Sequence, residues 1–375
     1  MKLLHTADWQ IGRVYGFERD VDGNDPSAAM AAARFEVVAA IAELATQEKV
    51  DAVLVAGDVF DKQALSDHSL RRVVNAMRGF NGRWVLLPGN HDAALAVSVW
   101  SRLLRLDVLP DNVTVALQPG VFEYADLGLA VIAAPLTQRQ THDDLTEFFD
   151  TAQATAGLVR VGVAHGSATG ILHEGIDSSN PVAADRAATA RLDYLALGDW
   201  HGTKQVDART WYSGTPEQDR FKNNDPGNVL LVEIDGPGSM PRVVQRRVGR
   251  FRWLPLALEI NGSADVERLQ DDLRSLTGDD VVRLSVAGTC DFASGEQLRS
   301  VLEEARARAH VLEADLSGLR LEPTAADLAA MRFDGALADV VEELRQMQAQ
   351  PEQAELSAEA LKLLFDLARR EGVDA

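Results

Sequence analysis

The stretch "AVLVAGDVFD" at residues 52 to 61 opens with five apolar residues, and Gly57, Asp58 and Asp61 follow them. A short apolar run closed by glycine is typical of a strand that is buried on both faces of a parallel sheet. Ligands of open α/β sheets bind beyond the carboxyl ends of the strands, where Asp58 and Asp61 would lie. The stretch therefore predicts an α/β fold with a polar site at one edge of its sheet.

The same pattern recurs up to about Val248. Other runs of this kind are "GRWVLLPG", "LGLAVIAAP", "LVRVGVAHG" and "DYLALG", each closed by glycine or proline. Between the runs, residues 28–48 and 66–77 have the apolar spacing of helices. Strands that alternate with helices predict an α/β layout for this part of the chain.

The composition indicates a globular chain of two or three domains, with 375 residues, 46% of them hydrophobic and 25% charged. Its longest apolar run, near residues 127–136, is shorter than the roughly 18 residues that a membrane span needs. The first residues show no signal-peptide pattern, so we expect a cytoplasmic protein that does not bind membranes. Cys290 is the single cysteine, which leaves His, Asp, Glu, Asn and Gln as possible metal ligands.

The formal net charge of −20 argues against nucleic-acid binding by the surface as a whole. One interpretation is an acidic protein that has no contact with nucleic acids. The alternative requires a local basic patch, bound metal cations or a basic partner.

The sequence pattern changes near Val248. Strand-like and helical stretches then alternate as "FRWLPLALEI", "ADVERLQDDLRSL", "DVVRLSVAG", "SGEQLRSVLEEARARA" and "SGLRLEP". After Pro323 only helical patterns follow, and residues 333–375 carry 10 acidic against 4 basic residues. We therefore predict an α/β domain at 1–248, a small α+β domain at 249–323 and a helical tail at 324–375, whose apolar faces pack on their own protein or dock a partner.

Metal-capable side chains follow five of the predicted strands. They are Asp8 and Gln10, Asp58 and Asp61, Asn90 with His91 and Asp92, His165, and Asp199 with His201. Each motif alone is weak, since an aspartate before a turn is usually a cap and a lone histidine is usually structural. Five of them in this order predict one site at which the strand ends converge.

With these motifs the sequence resembles the calcineurin-like metallophosphoesterases over residues 1 to about 248. The stretches "LLHTADWQIG", "AGDVFD", "LPGNHD" and "WYSGTPEQDRF" are most similar to SbcD-type, YhaO-like DNA-repair nucleases. The resemblance implies a four-layer α-β-β-α sandwich, then a small capping domain, then helices that bind an SbcC-type coiled-coil ATPase. It implies a metal-dependent DNA nuclease that is the catalytic subunit of an SbcCD-like double-strand-break repair complex. We also expect that the chain can form a homodimer, whose interface the sequence does not locate.

The resemblance also assigns two divalent metal ions. It places one ion among Asp8, Gln10, Asp58 and His201, and the other among Asp58, Asn90, His165 and Asp199. Oxygen and imidazole ligands without thiolate favour Mn²⁺, with Mg²⁺, Fe and Zn²⁺ as alternatives. His91 would act on the leaving oxygen or the transition-state charge, and Asp61 would orient His91 and favour its protonated form. The alternative for Asp61 is an ordinary surface aspartate.

Two positions depart from the family pattern, which has Asp-x-His at the first motif and Gly-His-x-His at the last. Gln10 and Asp199 stand where the family usually has histidine. Both replace nitrogen by oxygen, which favours harder ions over Zn²⁺. The alternatives are that one or both do not bind metal, or that the chain is an inactive relative.

Two other functions remain open. A phosphatase or cyclic-nucleotide phosphodiesterase for small substrates would use the same metal core, and a noncatalytic adaptor would use only the tail. The small second domain and the acidic tail favour the nuclease, whereas the net charge favours a small substrate.

Overall fold

A computed structural model describes residues 1–17, 23, 25–171, 179–321 and 336–348, and the single positions 350, 353, 356, 357, 359–361, 363, 364 and 367. The chain divides into two compact units, Met1–Trp253 and Leu254–Ala375. None of the described helices has the length and apolar character that a membrane crossing requires.

The described residues of the first unit form fourteen strands. They are β1 (Lys2–Thr6), β2 (Ala52–Val55), β3 (Arg83–Leu86), β4 (Val113–Val115), β5 (Gly120–Tyr124), β6 (Leu129–Ala134), β7 (Val159–His165), β8 (Ser167–Ala168), β9 (Pro181–Val182), β10 (Tyr194–Gly198), β11 (Lys204–Gln205), β12 (Thr210–Tyr212), β13 (Asn228–Glu233) and β14 (Arg242–Arg247). The helices of this unit are α1 (Pro26–Gln47), α2 (Asp67–Met77), α3 (Val99–Arg105) and α4 (Arg186–Thr189), with a 3₁₀ turn at Glu147–Asp150.

Twelve of these strands form two mixed six-stranded sheets. The first sheet has the order β14-β13-β1-β2-β3-β4, and the second has the order β11-β12-β10-β7-β6-β5. The strands β1 to β4 are parallel, as are β6, β7, β10 and β12, while the outer strands β13, β14, β5 and β11 pair antiparallel. Parallel pairing brings the carboxyl ends of the central strands to one edge of each sheet.

The side chains of β2 show how the layers form. Leu54 packs into the core between the two sheets, whereas Val53 and Val55 pack against the helices on the outer face of the first sheet. The outer face of the second sheet packs against the 3₁₀ turn and α4, where Phe149 and Ala187 are buried. Successive strand residues point to opposite faces, so a strand covered on both sides must be apolar throughout. The predicted α/β fold with four α-β-β-α layers is confirmed for this unit.

Local sequence sets where the helices begin. The Asp25 side chain accepts a hydrogen bond from Ser27 N, and Pro26 occupies the first turn of α1. Ser66 caps α2 in the same way through Ser69 N. Such caps satisfy main-chain N–H groups that the first turn leaves without partners.

The second unit contains a three-stranded sheet in the order β15 (Arg252–Ile260), β16 (Asp280–Cys290) and β17 (Val311–Leu321), with the helices α5 (Ser263–Leu273) and α6 (Phe292–Arg306). The strands β16 and β17 are parallel, and both helices bury apolar side chains against the sheet. The strands and helices predicted from the sequence after Val248 are confirmed in type. The assignment of 249–323 as a capping domain stays a prediction.

The tail contains α7 (Ala336–Gln348), as the sequence predicted, and the described positions between 356 and 367 are also helical. Val341 and Leu361 are buried together, with Leu344, Leu364 and Phe292 packed against them. The predicted tail residues 324–335 lie outside the described residues, as do several positions after Gln348.

Candidate metal centre

The predicted ligands follow strands of both sheets. Asp8 and Gln10 follow β1, Asp58 follows β2, Asn90 and His91 follow β3, His165 ends β7, and Asp199 and His201 follow β10. Main-chain hydrogen bonds join the first two loops, from Asp8 N to Gly57 O at 3.0 Å and from Gln10 N to Asp58 O at 2.9 Å. The site therefore lies where the carboxyl ends of the two sheets meet.

Backbone strain is concentrated at this site. Nine non-glycine residues in the described part of the chain have a positive φ, and four of them are predicted ligands. Those four are Asp8 (φ 54°), Gln10 (45°), Asp58 (50°) and Asp199 (102°). Such conformations cost of order 1–3 kcal/mol each and persist only where surrounding structure enforces them. The apolar periodicity of a sequence carries no signal for this feature.

Two glycines allow the strand ends to approach one another. Gly57 has φ 92°, and a Cβ there would lie 2.1 Å from His165 Nδ1. A Cβ on Gly198 would lie 1.9 Å from the main-chain oxygen of Ala56. Neither position can hold a side chain unless the two sheets move apart.

His165 lies at the centre of the oxygen ligands. Its Nδ1 lies 2.9 Å from Ala56 O, a contact in which Nδ1–H donates, so the lone pair of the neutral ring is on Nε2. That atom lies 3.2 Å from Asn90 Oδ1, 3.6 Å from Asp58 Oδ1 and 3.8 Å from Asp199 Oδ1. Ligand atoms of Asp8, Asp58 and His165 all lie within 4.8 Å of one another, and these three residues are buried. Lone pairs that converge in this way fit a divalent cation.

The electrostatics of the buried groups agree with this fit. Burial raises the pKa of Asp8 to about 6, although His201 and His165 lower it. Burial by itself would lower the pKa of His165, but the Asp58 and Asp8 carboxylates raise it to about 9. In the metal-free chain a proton on His165 supplies positive charge that a cation would otherwise provide.

His201 is held by residues that the sequence analysis missed. Its Nδ1 lies 3.0 Å from Asp219 Oδ2, and its Nε2 lies 3.1 Å from Gln10 Nε2. Arg220 Nη2 also lies 2.8 Å from Nδ1, but a guanidinium only donates, and Arg220 reaches both Asp219 oxygens at 3.0 and 3.1 Å. We therefore assign the Nδ1–H bond to Asp219, so that Nε2 carries the lone pair and accepts from the Gln10 amide in this structure.

Arg13 completes this group. It contacts Asp219 Oδ2 at 3.1 Å and donates to Gln10 Oε1 at 2.5 Å. The Asp219 side chain is only 1% exposed. Burial would raise its pKa, but hydrogen bonds from His201 and Arg220 hold that pKa well below its usual range. Asp219 lies in "WYSGTPEQDRF", which carried the family resemblance, but nothing in the motif marks this aspartate as buried.

His91 lies beside the Asp58 carboxylate. Its main-chain N donates to Asp58 Oδ1 at 2.9 Å, and its Nε2 is 4.0 Å from Asp58 Oδ2. Its Nδ1 lies 2.9 Å from the main-chain oxygen of Asp61, whereas the Asp61 carboxylate is 3.8 Å away. The close contact from Asp61 to His91 therefore comes from the main chain.

Asp92 is a second residue whose importance the sequence analysis did not assign. It is fully buried, and its carboxylate accepts from Phe60 N at 3.0 Å and from Gly89 N at 2.6 Å. Burial and the nearby Asp58 raise its pKa to about 8. Asp92 joins the loops after β2 and β3, which carry Asp58, Asn90 and His91.

The chain is similar in sequence to several known proteins. Residues 1–167 match the model of the family described as calcineurin-like phosphoesterase. The chain is 28% identical over 277 residues to the DNA double-strand break repair protein Mre11 of Aeropyrum pernix. The matched region is 66% of this chain and 63% of that protein. It is 24% identical over 281 residues to the SbcD component of nuclease SbcCD of Bacillus subtilis, covering 64% and 67% of the two chains.

Two further matches are shorter or more distant. The SbcD component of nuclease SbcCD of Rhodobacter capsulatus is 36% identical over 111 residues, 28% of this chain and 25% of that protein. The crystal structure of TT1561 of Thermus thermophilus superposes with a TM-score of 0.41 at 12% identity, over 66% of this chain and 98% of that one. From the family match, the two six-stranded sheets and the ligands at their carboxyl ends, we conclude that the amino-terminal part of this chain is a calcineurin-like metallophosphoesterase domain.

Proposed function

We propose that this protein is a metal-dependent nuclease that hydrolyses phosphodiester bonds of DNA. The observation that carries the proposal is the convergence of Asp58 and Asn90 oxygens on His165 Nε2, beside the buried Asp8 carboxylate. The relatives whose names include nuclease or DNA break repair support the choice of DNA.

The proposed ligands are those predicted from the sequence. One ion would be held by Asp8, Asp58 and His201, joined by Gln10 when its amide oxygen turns away from Arg13, and the second by Asp58, Asn90, His165 and Asp199. Their oxygen-rich donor set favours Mn²⁺ or Mg²⁺ over Zn²⁺. When bound, such a pair of cations stabilises charge on the phosphate and makes a water molecule nucleophilic at neutral pH.

The remaining residues position groups and move a proton. His91, with a side chain 29% exposed, faces solvent beside Asp58 and would donate a proton to the leaving oxygen. We propose that Asp61 orients His91 mainly through its main-chain oxygen, because that atom is about 1 Å closer to Nδ1 than the carboxylate is. Asp219 would hold the Nε2 lone pair of His201 towards the metal.

The test is cleavage of linear duplex and single-stranded DNA by the purified chain with Mn²⁺. We expect His91→Ala to abolish cleavage while metal binding persists, and His68→Ala, at an exposed histidine on α2, to leave cleavage unchanged. Loss of bound metal together with activity in His91→Ala would contradict the role of His91 as a proton donor. Cleavage of no phosphodiester at all would favour the adaptor instead.

A small-substrate phosphodiesterase is the second candidate, and the net charge of −20 is the observation that favours it. Hydrolysis of bis-p-nitrophenyl phosphate without cleavage of any DNA would support that function. The same assay therefore separates the two candidates.

We further propose that the tail binds an SbcC-type coiled-coil ATPase. In the described part of the tail, apolar side chains remain exposed at Leu337 (38%), Val340 (44%), Leu356 (72%), Leu363 (59%) and Leu367 (57%). Removal of residues 333–375 is expected to abolish binding to the ATPase without changing hydrolysis of bis-p-nitrophenyl phosphate. Homodimer formation and cytoplasmic location remain predictions.

A further inference from the structure

Two lysines surround one tryptophan beside the candidate metal centre. Trp200 lies in the chain between Asp199 and His201, and the Nζ atoms of Lys204 and Lys222 lie 5.3 and 5.2 Å from the centre of its ring. Trp200 and Lys204 are partly exposed and Lys222 is exposed. We call these three residues the Trp200 patch.

The two lysines differ from the arginines nearby. Arg13 and Arg220 are paired with the buried Asp219. Among the residues that the structure describes, no carboxylate lies within the 4.0 Å of an ion pair from either lysine, and the described polar partner of Lys204 Nζ is the main-chain oxygen of Ile171 at 3.1 Å. In a chain with 20 more acidic than basic charges, two such ammonium groups in one place are unusual.

The position of the patch is fixed by main-chain contacts. Thr215 N donates to His201 O at 3.1 Å, and Thr203 N donates to Asp225 O at 3.0 Å. A Cβ on Gly202 would lie 1.8 Å from Asn224 O, so the segments that carry Lys204 and Lys222 are closely packed. The lysines are therefore brought to Trp200 by the same loops that hold His201.

The geometry favours phosphate over bases as the binding partner. Part of Trp200 packs against the apolar cluster behind β10, and both lysines are held near its ring by cation–π attraction. The lysines thus compete with a base for the faces of the ring. The two ammonium groups lie no more than about 10.5 Å apart, so one anionic strand can contact both of them.

We propose that the Trp200 patch binds the phosphodiester backbone of a DNA strand whose scissile phosphate lies at the metal centre. This inference rests on the proposed nuclease function and adds the surface that holds the substrate. It supplies the local basic patch that the net charge of the chain requires, and because it contacts phosphates it recognises no particular sequence.

The test is the binding of a fluorescein-labelled linear DNA duplex to the full chain in EDTA, measured by anisotropy over a range of salt concentrations. The loss of two phosphate contacts makes the slope of log K against log salt, where K is the association constant, less steep by about 1.8. This change corresponds to roughly 30-fold weaker binding at 0.15 M salt. We expect this of Lys204→Ala/Lys222→Ala, and we expect Lys204→Arg/Lys222→Arg to bind within about twofold of the wild type. The matched control is Lys49→Ala, at an exposed lysine before β2 and thus at the opposite edge of the sheet.

A second measurement separates the patch from the reacting phosphate. With Mn²⁺ present, the double alanine variant should hydrolyse bis-p-nitrophenyl phosphate at the wild-type rate, since that substrate has no strand to hold. The inference is overturned if the double variant binds DNA like the wild type, if its rate on the small substrate falls by the same factor as its DNA affinity, or if the wild type binds no DNA. Failure of the wild type to cleave DNA that it binds through the patch would overturn the proposed nuclease function alone.

Discussion

Replacement of Asp219 by asparagine is expected to weaken one metal site without removing any ligand. The carboxylate accepts from His201 Nδ1 at 3.0 Å, and the side chain is almost completely buried. Asparagine has nearly the same shape but lacks the charge, so the imidazole loses the partner that fixes its tautomer and makes Nε2 a stronger donor. The two arginines that Asp219 neutralises would then also repel a cation.

The expected size of the effect follows from comparable contacts. Loss of the group that orients a metal-binding histidine costs about 10- to 100-fold in metal affinity, or roughly 1.4–2.7 kcal/mol. Titration of Mn²⁺ followed by the electron paramagnetic resonance signal of the free ion would measure it. We expect one equivalent of Mn²⁺ to bind about 10- to 100-fold more weakly than to the wild type. The other equivalent should bind within about twofold of the wild type, because His165 has a separate orienting bond to Ala56 O.

Glu217→Gln is the matched control. Glu217 is 1% exposed and lies in the same segment, but its carboxylate accepts from the main-chain N atoms of Arg250 and Phe251 at 2.9 and 3.0 Å. It should alter stability without changing Mn²⁺ affinity. If both variants weakened Mn²⁺ binding equally, or if Asp219→Asn bound it like the wild type, Asp219 would have no role in orienting His201.

Three other changes test separate parts of the structure. Asp58→Asn should raise the melting temperature of the metal-free chain by about 2–4 °C, because it removes a buried charge worth about 1 kcal/mol, and it should abolish stabilisation by Mn²⁺. Asp92→Asn should instead lower the melting temperature, since both Asp92 oxygens accept main-chain N–H groups. Arg186→Met should cost about 3 kcal/mol in urea unfolding at pH 7, because its side chain is 7% exposed and donates to Asp144 at 2.9 Å. Burial would raise the pKa of Asp144, but hydrogen bonds from Thr146 and Arg186 lower it. The stability that the Arg186–Asp144 pair contributes is therefore present above about pH 4. As the pH falls further, the difference in unfolding free energy between Arg186→Met and the wild type should shrink. Asp199→His should increase hydrolysis of p-nitrophenyl phosphate relative to bis-p-nitrophenyl phosphate, because it removes one negative charge from the ligands; an unchanged ratio would show that this charge does not select the substrate.

The sequence was sufficient to predict the parts of the site that strands position. Buried strands have a strong signal, and the residue that follows each of them lies at a predictable edge, so Asp8, Asp58, Asn90, His165 and His201 could all be assigned to one place. The helices α1 and α2 could be predicted for the same reason, since their apolar spacing and their caps are local.

The sequence could not predict the groups that support the ligands. Asp219 and Arg13 lie in loops without periodicity, and a buried paired aspartate has the same letter as a solvated one. Asp61 was predicted to orient His91, but its shorter contact with His91 is made by the main-chain oxygen, which every residue type has. The positive φ values at four ligands also result from tertiary packing, which no local pattern records.

The exchange of histidine for Asp199 has a consequence for the substrate. With neutral histidines and amides, the proposed ligands carry three negative charges, on Asp8, Asp58 and Asp199, against four positive charges on two divalent ions. The balance is one positive charge, which matches the single negative charge of a phosphodiester. A histidine at position 199 would leave two positive charges, and the attraction for the dianion of a phosphate monoester would then rise by more than the attraction for a diester. Asp199 Oδ1 lies 3.8 Å from His165 Nε2, in a site where burial raises the pKa of Asp199, so a cation bound there would favour its charged form. The departure from the family pattern therefore weakens the attraction of the metal centre for a phosphate monoester more than its attraction for a phosphodiester.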